Sequence, residues 1–235
     1  MSVEIIETGK IPTNPIVVEG FPSVGLVGSI ATEFLATKLN MEEIGFFKSS
    51  HLPPVAIVKE SIPKATIRIF FKNNLVVIVS DTAVPPNLIH EIASAIVAWA
   101  KKIGAQKIIS LGGIAKAEGE ASKDIFIVSN QPEKIKNSKF KTIQVGFLTG
   151  VFGALMLECL ESKIPAYGFL SKAEPNSPDP TAAALVLDAL SSDLNLNLDT
   201  STLSAASAKM ERKMKELLDE TKKAMNSTSY PSIYG

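Results

Sequence analysis

Cysteine and histidine are nearly missing from this chain and net charge is missing altogether, and each lack closes off a class of function. The one cysteine, Cys159, cannot build an internal disulfide framework, so a reducing compartment is expected. It also lies inside an apolar helical pattern with no identifiable base to activate it. His51 and His90 are the only histidines; His90-Glu91 lacks the second histidine of a zinc helix, so a metal site is not expected. Lys+Arg and Asp+Glu both number 24, which leaves no positive field to hold a phosphate backbone or an anionic leaflet. Nucleic acid and membrane are therefore not expected as partners. No apolar run reaches the roughly 18 residues of a spanning helix, and Met1-Ser2-Val3-Glu4 lacks a basic leader, so the expected location is the cytoplasm. A Gly-x-Ser-x-Gly elbow is absent as well, and with it the usual mark of a serine hydrolase.

What the chain does have is length and apolar content. At 235 residues and 46% apolar it can fill one large α/β core without dividing. Residues 16–19 read as a short buried strand, after which Val24, Val27, Ile30, Ala31, Phe34 and Leu35 recur at helical spacing. The β-rich runs 65–71 and 75–80, joined across Lys72-Asn73-Asn74, predict a hairpin and so at least one antiparallel pair. Pro85-Pro86-Asn87 opens a helix to Ile103, and Gly104 stops it. Strands are predicted at 107–111, ended by Gly112-Gly113, then at 125–129, 142–147 and 165–170, with a helix at about 152–161. Asp179-Pro180 fits an N-cap followed by a first-turn proline. The alternation predicts a three-layer α/β/α sandwich on a mixed, mostly parallel sheet.

The loop Gly20-Phe21-Pro22-Ser23-Val24-Gly25-Leu26-Val27-Gly28 stands between a first strand and a helix, where α/β folds often hold phosphates. It fails both common templates. A Walker loop needs Lys and Ser/Thr where Leu26-Val27 stand, and Pro22 occupies the middle glycine of a dinucleotide fingerprint. Its glycines are better read as allowing a tight turn and close helix–sheet contact, with a weak anion site as the alternative. Asp81-Thr82, Gly112-Gly113 and Glu118/Glu120 follow strand ends, so a crevice near Glu19, Asp81 and Gly112 is the place for any small-molecule chemistry.

The texture changes past residue 198. An amphipathic helix is predicted over about 203–225, with Leu203, Met210, Met214, Leu217, Thr221 and Ala224 on one stripe and Glu211–Lys215 and Asp219–Lys223 pairs outside it. The stripe packs either on its own domain or on another subunit. The division expected is a core over 1–198, a C-terminal helix over 199–226 and a tail over 227–235. Two of the 3 tyrosines, Tyr230 and Tyr234, fall in that tail, which ends Ile233-Tyr234-Gly235 in a segment too polar to bury itself. A hydrophobic residue, a tyrosine and a free carboxylate in succession suit docking into a partner.

Four segments in this order and spacing resemble the proteasome assembly chaperone 2 family in its archaeal form. They are the Gly20-to-Gly28 loop, Leu111-Gly112-Gly113, Gly146-Phe147-Leu148-Thr149-Gly150-Val151-Phe152-Gly153, and Pro178-Asp179-Pro180-Thr181-Ala182-Ala183, and the resemblance spans about residues 10 to 220. It implies an α/β/α sandwich similar to nucleoside phosphorylases, no active site and no cofactor. It also implies homo-oligomers, and a C-terminal hydrophobic-tyrosine-any residue motif that inserts between α subunits of the 20S proteasome. That motif maps onto Ile233, Tyr234 and Gly235. The expected function is thus a proteasome assembly chaperone or 20S activator; the alternative is a small-molecule-binding protein or enzyme of nucleoside-phosphorylase-like fold.

Overall fold

The structure is a computed structural model and describes residues 3–117, 120 and 122–203. Its strands are β1 (Glu4–Glu7), β2 (Ile16–Gly20), β3 (Glu42–Lys48), β4 (Ile57–Lys59), β5 (Ile62–Lys64), β6 (Ile67–Lys72), β7 (Leu75–Ser80), β8 (Lys107–Ala115), β9 (Ile125–Ser129), β10 (Lys141–Thr142) and β11 (Ala166–Ala173). The helices are α1 (Val27–Lys38), α2 (Ile89–Lys102), α3 (Pro132–Ile135), α4 (Gly150–Ser162) and α5 (Pro180–Leu194).

Nine of the strands form one sheet in the order β1-β3-β6-β7-β2-β8-β11-β9-β10, while β4 and β5 make a separate hairpin. Its centre is parallel, from β7 through β2 and β8 to β11. The β1-β3-β6-β7 flank is antiparallel. On the other side β9 runs antiparallel to β11, and β10 parallel to β9. Mixed is therefore right and mostly parallel is not, because the pairings divide evenly between the two senses.

Strand alternation sends successive side chains to opposite faces. Val17, Val76, Ile78 and Ile108 join the layer of α2 and α4, while Val18, Val77, Val79 and Ile109 join that of α1 and α5. Helices cover both faces, which makes the sandwich three-layered as expected. Leu203 is fully buried in the second layer. The predicted helix beyond it and the tail lie outside the described residues.

Local chemistry explains the elements. Asn73 and Asn74 both take positive φ, 46° and 66°, as a two-residue hairpin loop requires. The Asp179 carboxylate accepts from the Ala182 amide at 2.9 Å, capping α5 at the proline start the sequence marks. The sole tryptophan, Trp99 on α2, donates from Nε1 to Glu7 of β1 at 2.9 Å, and Lys102 pairs with the same carboxylate at 2.7 Å. That pins the edge strand to the helix layer.

Two strand expectations change. Gly112-Gly113 do not end β8, which continues to Ala115 against β11. Successive glycines there serve opposite faces: a Cβ on Gly112 would come 3.0 Å from the Phe152 ring, and one on Gly113 would come 2.2 Å from the Val24 carbonyl. The 142–147 run pairs only through Thr142, and the following residues form an exposed strap leading to α4.

Candidate functional site

The helix-sheet contact around the glycine loop is built backbone to backbone. A Cβ on Gly20 would meet the Gly28 carbonyl at 2.1 Å, and one on Gly28 the Leu111 carbonyl at 2.5 Å. The start of α1 thus lies directly on β2 and β8, and the close-contact reading of these glycines is the one the geometry bears out. Thr32 secures the helix with a hydroxyl donated to the Gly28 carbonyl at 3.0 Å.

Glu19, Asp81 and Gly112, which the sequence places around one crevice, have separate surroundings. Glu19 is 1% exposed in the middle of the sheet, opposite Ser110 of β8. The Phe21 amide donates to its Oε2 at 3.2 Å, and Oε1 has no partner among the described residues. Burial pushes its pKa up to about 7, against smaller lowering by the nearby Ser110 hydroxyl and the Phe21 amide. Cys159 is fully buried on the same side of the sheet, and its thiol is pushed up to about 12 by burial first and Glu19 second. Such a thiol is an inert core residue.

Asp81 instead accepts from Arg68, whose side chain is 2% exposed on the α1 face. Arg68 also approaches Glu33 of α1 at 3.5 Å, and Glu33 pairs with Lys59 at 2.6 Å. This chain of charges ties β4, β6, α1 and the end of β7 together. Burial, with the nearby Glu33 charge, leaves the Asp81 pKa raised despite the lowering by Arg68. His51 and His90 are on the surface. Glu120 accepts from the Ala117 amide at 3.0 Å and pairs with Lys172 at 3.3 Å, while Glu118 lies outside the described residues.

Gly112 alone of the three lines a cavity. A cavity of about 1000 Å³ lies at the carboxyl ends of β8 and β11, walled by Phe126, Val128, Phe152 and Leu170, with Ser23 and Lys172 at its polar side. Residues 143–149 form its rim. Phe147 and Val145 on that rim are 97% and 93% exposed. The sequence misses this rim because Ile143, Val145 and Phe147 alternate as a half-buried strand would, while the pairing with β9 stops at Thr142. Ile233, Tyr234 and Gly235 fall outside the described residues.

Comparison with known proteins decides the family, for the model of the PAC2 family matches residues 17–218. This chain belongs to the PAC2 family. It is 30% identical over 98% of both chains to an uncharacterised protein of Methanocaldococcus jannaschii. Among solved structures it is similar to Pyrococcus furiosus PbaA, described as an archaeal homologue of proteasome-assembly chaperone, with TM-score 0.87 and 30% identity over 95% of this chain and 99% of that one. The PAC2 fold is shared with Pyrococcus furiosus PbaB, described as an archaeal proteasome activator, with TM-score 0.78 and 21% identity over 92% of this chain and 98% of that one. No helix among the described residues is long and apolar enough to cross a membrane.

Proposed function

We propose that this PAC2 protein is a non-catalytic proteasome assembly chaperone or 20S proteasome activator that docks Ile233, Tyr234 and Gly235 into pockets between α-ring subunits. The observation that carries this reading is the likeness to PbaA over nearly the whole of both chains, joined to the tail's hydrophobic-tyrosine-any residue ending. In such a pocket the terminal carboxylate pairs with a lysine, the Tyr234 ring fills an apolar slot with its hydroxyl left a polar partner, and Ile233 packs beside it. Pro231 restricts the approach and lowers the entropy lost on docking. Three residues bury little area, so one tail binds weakly and useful affinity comes from several tails on a homo-oligomer.

The cavity beside Gly112 is the observation that favours the second reading, a small-molecule-binding protein or enzyme of nucleoside-phosphorylase-like fold. Glu19 and Asp81, the acids that reading draws on, are however engaged elsewhere. A pull-down from native cytosol separates the two: wild-type protein should recover 20S α subunits, and Tyr234→Ala should not, at an unchanged elution volume. Wild-type recovery by Tyr234→Ala would sink the tail mechanism.

A further inference from the structure

The chain leaves β2 toward the β7 side of the sheet and leaves β8 toward β11, so the crevice outside their carboxyl ends is the switch point where open α/β sheets receive ligands. The cavity beside Gly112 opens there, lined by Pro22 and Ser23 after β2 and by residues 112–115 at the end of β8. Its floor is one cross-strand row on the α4 face of the sheet, with Leu170 paired to Gly112 on one side and to Phe126 on the other. Gly112 has no side chain to raise that row, and the Phe152 ring, packed on Gly112 and Gly168, closes its inner end. At about 1000 Å³ the space is at the upper end of those that hold small organic molecules.

The next row outward changes character. Ile114 there is paired with Lys172, and among the described residues lining the cavity Lys172 alone carries a charge. Its partner Glu120 stands 3.3 Å away and outside the lining. The Ser23 hydroxyl, enclosed and without a partner among the described residues, borders the same cavity. Helix α4 begins at this rim with no acidic residue in its first turn, so its dipole adds a field of the same sign. An apolar floor, a hydroxyl and a lone cation together complement a molecule with an apolar body and an anionic end.

We propose that the cavity binds a small organic anion of this kind, its apolar body on the row of Gly112, Leu170 and Phe126 against the Phe152 ring and its anionic group at Lys172 and Ser23. The inference rests on the small-molecule reading of the cavity and names the chemistry of the ligand; it does not depend on whether the tail docks. Its test is a ligand-observed NMR titration of full-length wild type, Lys172→Met and Glu120→Gln with naphthoate and with the neutral naphthamide, folding being checked by circular dichroism. Wild type should take the carboxylate about tenfold more tightly than the amide, the effect of one charge-assisted hydrogen bond. Lys172→Met should erase that preference while still binding the amide, and Glu120→Gln, which frees the lysine, should widen it. If Lys172→Met fails to fold, the Glu120→Gln result decides by itself. Equal affinity of wild type for the two probes overturns the anion assignment and leaves a small-molecule cavity standing. No binding of either probe at millimolar concentration overturns both. Probe binding that lowers the solution mass gives the cavity to a second copy and overturns the proposal as well.

Discussion

At Glu19 a carboxyl sits in the centre of the sheet with one amide donor for its two oxygens. Because its pKa in the fold is about 7 and its ordinary value 4.5, the folded state holds a proton that the unfolded chain releases. Below pH 4.5 both states are protonated and the group makes no difference. Between 4.5 and 7 the unfolded state alone ionises, so stability falls as pH rises, by about 3 kcal/mol in all, and levels off above 7. Glu19→Gln should remove this slope, so that its stability relative to wild type rises from pH 4.5 to 7; urea unfolding at half-unit pH steps checks it, and parallel curves would contradict the assignment. Arg68 and Asp81 pose the opposite case. Their pairing compensates for a burial cost that neither could meet alone, which makes the pair a matter of fit more than of net stability.

Among the elements, the contrast between two hairpins shows what the sequence discloses. The β6–β7 turn is Asn73-Asn74, and asparagine tolerates positive φ, so residue type alone makes the turn legible. The β4–β5 turn places Glu60 and Ser61 at φ 52° and 64°, residues that carry no such mark, and the hairpin goes unread. The parallel centre is legible because its strands are continuous apolar runs bounded by helical spacing. β1 and β3 are not, since Glu4, Glu7, Glu42 and Lys48 break the apolar pattern at the sheet edge where one side meets water. The cavity rim reads as a strand because no local pattern distinguishes a strand from a strap of the same alternation. Outside the main sheet, β4–β5 is held by the Lys59–Glu33 and Lys64–Glu43 pairs, each partly exposed. Such pairs contribute about 0–1 kcal/mol each. Lys59→Ala/Lys64→Ala should therefore barely move the melting temperature yet speed amide exchange across Ile57–Lys64 by several-fold; unchanged exchange there would show that packing of Ile57, which is buried, holds the hairpin by itself.

For the whole molecule, the proposed mechanism requires the terminal carboxylate of Gly235, since a pocket lysine gains little from a neutral amide. A C-terminal affinity tag should abolish 20S capture on a sensor surface, whereas an N-terminal tag should leave it unchanged; equal capture would move the contact to the globular body. The tether between Trp99 and Glu7 gives such experiments an internal optical gauge. Because the only indole of the chain is 5% exposed and bonded to the edge strand, its emission reports whether β1 is docked on α2. A variant whose binding is lost at constant tryptophan emission has lost a contact, not its edge.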